Sequence, residues 1–200
     1  MEETTDTIIL RAAREIFIEK GLAGARMQEI ADAAGINKSL LHYYYRSKEQ
    51  LFEAVFNQVF NELAPQLFML LKDDSNLLDT IRNFFKIHLE FLRRNPRLPF
   101  FIIGEMERVP KLFSKIFSDK GVNVSALINE KVEKAVAAGL IKPISGEELI
   151  LNMISLSAFQ FAAAPIFQSV VGTFPADSFD DFIEQRKTSL AEFVINAIKK

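Results

Sequence analysis

The sequence has no cysteine among its 200 residues and only two histidines, His42 and His88. Without thiols there is no disulfide framework, no thiolate zinc site and no cysteine nucleophile. A Gly-rich phosphate loop and a His-Glu-x-x-His pattern are missing too, so no catalytic constellation can be assembled and no enzyme, cofactor or metal is expected. Charge of one sign is also scarce. The 24 basic and 26 acidic residues leave a formal net charge of −2, too balanced for a chain that coats nucleic acid or anionic membrane over its whole surface, although a local patch stays open. A long apolar run is absent as well: Leu149 to Phe167 carries no charge but is interrupted by Asn152, Ser155, Ser157, Gln160 and Pro165. That pattern reads as a buried or intersubunit helix, not as the roughly 20 predominantly apolar residues of a membrane span. The acidic, polar start from Met1 to Asp6 lacks the basic and apolar stretches of a secretory signal, so a cytoplasmic protein is expected.

What is present is helical periodicity. Ile9, Ala12, Ala13, Ile16 and Phe17 share one face, with Thr5 as the expected cap and Gly21 as the stop. Met27, Ile30, Ala31 and Ala34 keep the period for two turns until Gly35, and Asn37 offers a cap for a helix from Lys38 to Tyr44. Ser47 with Gln50 forms a capping box for a longer helix containing Leu51, Val55, Phe56, Val59, Phe60 and Leu63. Helices are then expected over Leu77 to Arg94, Leu98 to Arg108, Lys111 to Ser118 and Val122 to Ala138. A further one should run from Ser145 to about Val171, and a last one from Asp177 or Ser178 to near Lys199. No segment of any length alternates with period two, so the expected fold class is all-α.

Composition changes near residue 50. Of 19 phenylalanines only Phe17 precedes it, while the three tyrosines cluster at Tyr43, Tyr44 and Tyr45. Between Asn37 and Lys48 the chain carries Lys38, Arg46, Lys48 and His42 but no acidic residue. Two short helices around a glycine turn are the sequence form of a helix-turn-helix, whose second helix enters the DNA major groove. Groove entry needs an outward face with hydrogen-bonding groups and cations and without carboxylates opposite phosphate; this window meets the requirement. A DNA-binding domain over 1–48 and a helical domain over 49–200 are therefore expected.

The run from Ile30 to Leu51 closely resembles the DNA-binding domain of TetR-family transcriptional regulators. Ile30-Ala31 and Ala34-Gly35-Ile36 fit the family's first helix and turn, and the aromatic trio leads into Ser47-Lys48-Glu49-Gln50-Leu51. The departures are Met27, where Thr or Ser is common, Ser39-Leu40 for Gly-Thr, and His42-Tyr43-Tyr44-Tyr45 for Tyr-Tyr-His-Phe. Met27 and Leu40 cannot hydrogen-bond phosphate as threonine would. A helical carrier or interaction module that leaves DNA alone is the rival that these two positions support. The expected contact surface is Lys38, Ser39, His42, Tyr43, Tyr44 and Lys48, with the first three nearest the bases.

The resemblance also implies a small-molecule site in the helical remainder, whose aromatic composition points to an apolar or aromatic effector. Phe84, His88, Phe91, Glu105, Met106, Asn152 and Gln160 are its candidate residues, although each polar one has an ordinary reading as a satisfied structural group. Too much apolar surface is left on the last helices for one copy to cover, so Leu156, Phe159, Phe167, Phe182, Leu190 and Phe193 are expected at a homodimer interface. Two recognition helices would then read a pseudo-palindromic, double-stranded operator as a repressor released by ligand.

Overall fold

A computed structural model describes residues 3–106, 110, 123–170, 172 and 178–200. Ten helices follow one another among them: α1 (Thr5–Gly24), α2 (Met27–Ala33), α3 (Lys38–Tyr44), α4 (Lys48–Lys72), α5 (Leu77–Arg94), α6 (Leu98–Met106), α7 (Val124–Ala137), α8 (Gly146–Ala162), α9 (Ala164–Val170) and α10 (Phe179–Ile198). The all-α expectation holds. The expected helix from Lys111 to Ser118 lies outside the described residues.

Side-chain caps set most of the starts. Asn37, Asn76, Asn123, Ser145 and Ser178 each accept from the amide three residues on, satisfying a donor that the first helical turn leaves without a partner. Helix α1 starts one residue earlier than expected, because Thr4 and not Thr5 accepts from the Thr7 amide. The expected long helix from Ser145 to Val171 is two helices. Pro165 has no N–H to give to a carbonyl in the preceding turn and its ring crowds that turn, so α8 ends at Ala162 and α9 starts at Ala164.

The chain divides into two compact units, and the division is not at residue 48 as composition suggested. The first unit contains residues 3–62 and, from α6, residues 101–106. Its core is aromatic and aliphatic: Phe52 packs edge-on against Phe17 with ring centroids 5.1 Å apart and lies 5.6 Å from Phe101. Ile9, Ala13, Ile30, Ala31, Leu41 and Leu51 are wholly buried around them. These α4 contacts pull the start of the long helix into the first unit, which explains why a boundary drawn at a change in phenylalanine content falls short.

The second unit contains residues 63–100 and the described residues from 123 onward. In α5 the buried residues Leu77, Ile81, Phe85, Leu89 and Leu92 recur every three or four positions, giving a single apolar stripe that packs along α10 and α8. Burying a phenylalanine such as Phe85 contributes roughly 1.5–3 kcal/mol. Lys131 supplies a polar anchor: its ammonium is mostly buried and donates to the carbonyls of Asp73 and Ser75 at 2.8 and 2.7 Å and to the Asp73 carboxylate at 3.3 Å. At its chain end, Lys142 donates its amide to the Ile198 carbonyl at 2.7 Å. Among the described residues no helix is long and apolar enough to cross a membrane.

Candidate functional site

The turn between α2 and α3 is a Schellman closure. The Ile36 amide returns to the Ala31 carbonyl at 3.0 Å and the Gly35 amide to Asp32 at 3.1 Å, with Gly35 at φ +67°. Asn37 Oδ1 then accepts from the Leu40 amide at 2.8 Å and starts α3. Leu41 is the buried anchor of this short helix. Lys38, Ser39, Leu40, His42, Tyr43 and Tyr44 are exposed, Tyr43 to 81%. An edge-to-face contact of 5.7 Å pairs the rings of Tyr43 and Tyr44. The result is a helix anchored by one leucine and otherwise presenting an ammonium, hydroxyls, an imidazole and aromatic rings.

Two neighbours of that helix do something the sequence reading did not assign. Tyr45 is half-buried and its hydroxyl donates to Asp6 Oδ1 at 2.7 Å, tying the end of α3 to the start of α1. Burial first, and the adjacent carboxylate second, push its phenol well above the ordinary tyrosine range. Lys48 was expected to offer its charge to phosphate. Its ammonium instead donates to the carbonyls of Ala25 at 2.9 Å and Ala23 at 3.3 Å, the negative end of α1 and its following turn. Arg46, exposed between them, is a cation that the expected contact surface left out.

Of the candidate effector residues, Phe84, His88, Phe91, Asn152 and Gln160 lie in the second unit. His88 is buried and shares a 2.7 Å hydrogen bond between Nδ1 and Ser157 Oγ, while the Ser157 hydroxyl has the Met153 carbonyl at 2.8 Å. Burial holds its imidazole down to about 4. Phe84 stacks obliquely on the His88 ring at 5.0 Å, and Phe91 is half-buried against the same core. Gln160 is turned to structural use: its amide donates to the Ser157 carbonyl at 3.1 Å and its oxygen accepts from Arg186 at 3.4 Å. Asn152 lies elsewhere, exposed in a surface cleft of about 330 Å³ with Leu149, Leu156 and Phe193. Glu105 belongs to the first unit, where its carboxylate accepts from the Leu22 amide at 3.3 Å. Met106 ends α6, and its side chain lies outside the described residues.

Of the expected interface residues, Phe159 and Phe193 are 69% and 63% exposed and Phe167 is 38% exposed. Leu156 and Phe182 are half-buried. Leu190 is a correction: at 1% exposure it faces its own core, because it follows Ile183 by two turns on the face that α10 turns toward α5. Leu151, Ile154, Ile166 and Val170 are exposed apolar residues that belong with the outward set and were not singled out from periodicity.

Comparison with known proteins gives this geometry its context. Residues 9–55 match the family model of bacterial regulatory proteins of the tetR family. Across 196 residues the chain is 31% identical to the HTH-type transcriptional regulator RutR of Escherichia coli (strain K12), covering 96% of this chain and 89% of RutR. The chain belongs to the TetR family. It is a DNA-binding transcriptional regulator and not an enzyme. Solved structures share the fold: the ketosteroid transcriptional regulator KstR2 of Mycobacterium tuberculosis superposes with a TM-score of 0.75 at 17% identity, covering 100% of this chain and 97% of KstR2. AibR, solved in complex with isovaleryl coenzyme A and operator DNA, superposes with a TM-score of 0.72 at 19% identity, covering 95% of this chain and 97% of that chain.

Proposed function

We propose that this TetR-family protein acts in the cytoplasm as a dimeric repressor that reads a pseudo-palindromic operator through α3 and releases it on binding a small apolar or aromatic effector. The observation that carries the DNA half is the surface of α3: buried Leu41 anchors the helix, and no carboxylate occurs from Asn37 to Lys48 to oppose a phosphate. Lys38, Ser39 and His42 offer donors for base edges, and Tyr43 and Tyr44 offer hydroxyls for phosphate oxygens. Exposed Leu40 has no hydrogen bond to give beyond its capped amide, but its methyls suit the apolar edge of thymine.

The dimer half is supported by Phe159 and Phe193, which stay largely exposed on their own chain. The effector reading is supported by Phe84, Phe91 and the buried imidazole of His88 in the second unit. Differential affinity of the effector for two conformations would shift the balance between DNA-bound and free forms, and α4, whose residues belong to both units, is a continuous helix along which such a shift can pass.

Selection from a random pool of duplexes by the purified protein tests this reading. The expected product is one inverted repeat with half-site centres about one helical turn, ~34–36 Å, apart. Affinity for it should fall steeply with salt as several phosphates are neutralised. A pool that remains random, or one that enriches a single half-site without symmetry, would refute the dimeric operator reading.

A further inference from the structure

The kinked last turn of α1 is gripped from two sides. Gly21, at φ +66° and ψ 174°, leaves helical space and kinks α1. Leu22, the first residue after the break, gives its amide to Glu105 Oε1 at 3.3 Å. The carbonyls of Ala23 and Ala25 accept from the Lys48 ammonium, and the Ala25 amide returns to the Gly21 carbonyl at 3.2 Å, closing the turn. Every one of these groups lies in the first unit. Glu105 is only 3% exposed, and a carboxylate so deep is stable only where donors meet it, so its position constrains theirs.

The location matters. The turn runs straight into α2, the first half of the helix-turn-helix, while Lys48 opens α4 just after α3 ends. Anything that shifts the turn shifts the start of α2 against the start of α4, and α3 lies between them in the chain. We propose that Glu105 is a positioning residue for DNA recognition: with Lys48 it fixes the Gly21–Ala25 turn and thereby the seat of α3, and the Lys48 ammonium serves this frame and not a phosphate. The proposal rests on the DNA-binding reading above. It assigns to the carboxylate the role of an acceptor, which a glutamine amide oxygen can also fill.

Full-length Glu105→Gln, Glu105→Ala, Lys48→Ala and Lys38→Ala variants test it by two measurements: hydrogen exchange of the Leu22 amide, and affinity for the duplex enriched by the wild type across a salt series. For Glu105→Ala the Leu22 amide should exchange roughly tenfold faster, with Ile16 and Phe17 unchanged, and duplex affinity should fall roughly tenfold. Glu105→Gln should stay within about threefold of wild type in both. Lys48→Ala should lower affinity at an unchanged salt slope, whereas Lys38→Ala should reduce the slope by about one. The proposal is overturned if Leu22 exchange ignores Glu105→Ala, if Glu105→Gln is as impaired as Glu105→Ala, or if Lys48→Ala also reduces the slope by about one. Should Glu105→Ala fail to fold, Glu105→Gln alone decides: wild-type exchange and affinity support the assignment, and tenfold faster Leu22 exchange overturns it. Failure of the wild type to enrich any duplex removes the DNA reading and the recognition role with it, while Leu22 exchange separately decides whether the carboxylate holds the turn.

Discussion

In the first unit, α3 holds Leu41 inward and exposes a lysine, a serine, a histidine and two tyrosines; in the second, α8 buries Ser157 and exposes Leu151, Ile154 and Phe159. The polar groups inside the second unit are satisfied by one another, as His88 is by Ser157 and Lys131 by the carbonyls of Asp73 and Ser75. Each unit thus advertises its partner by what it leaves outside. A face of donors without carboxylates suits a polyanion, and a face of uncovered phenylalanines suits another apolar surface.

The largest effect should come from breaking the first unit from within. Phe17 is fully buried edge-on against Phe52, so Phe17→Ala should cost about 3–5 kcal/mol in urea unfolding, by lost transfer energy and the cavity left behind. A loss below about 1 kcal/mol would mean that the aromatic core does not hold this unit together.

In the second unit the buried histidine gives a pH signature. The imidazole titrates at about 4 in the fold against 6.5 when free, because burial disfavours its charged form. With the folded value depressed, the stability it permits is complete above about pH 6.5 and is lost as pH falls toward 4, by up to about 3 kcal/mol. Unfolding free energies of wild type and His88→Gln between pH 7 and 4.5 should therefore converge as the pH drops. Parallel curves would show that the ring is not held neutral by its surroundings. The outward phenylalanines come next: Phe159→Asp with Phe193→Asp should weaken self-association in sedimentation by about 2 kcal/mol or more, and an unchanged dimer would place the interface elsewhere.

Local chemistry was legible in the sequence and tertiary partnership was not. The Asn37 cap, the glycine turn and the stripe of α5 depend on neighbours within a few residues, and the structure has them where spacing put them. The role of Lys48 depends on carbonyls 23 and 25 positions earlier in the chain. Helical period placed Leu190 on the same apolar stripe as Phe193 and could not say which edge of the stripe faces the chain's own core. Glu105, expected at the effector site because it sits among apolar residues, accepts from the Leu22 amide 83 residues earlier in the chain. Of the expected contact set, Lys38, Ser39, His42, Tyr43 and Tyr44 lie on α3 at exposed positions, whereas the Lys48 ammonium meets backbone carbonyls.

A glycine from each unit sharpens the comparison further, since one is needed for room and the other for backbone. A Cβ built on Gly146 would lie 2.6 Å from Ile128 Cγ2 and 2.7 Å from Asn129 Oδ1, where the Gly146 amide also donates to that same oxygen at 2.7 Å. Gly146→Ala should therefore cost about 1–3 kcal/mol through overpacking of α8 on α7, and Gly146→Ser should fare no better. A Cβ on Gly35 meets nothing within 4 Å, so the penalty there is only that of holding φ +67° with a side chain. Gly35→Ala should cost about 1 kcal/mol in unfolding free energy, and Gly35→Asn less, because asparagine tolerates the left-handed region. If Gly35→Asn cost as much as Gly35→Ala, the demand at that position would be for space and not for conformation, and the turn would have to be packed against something when the protein is at work.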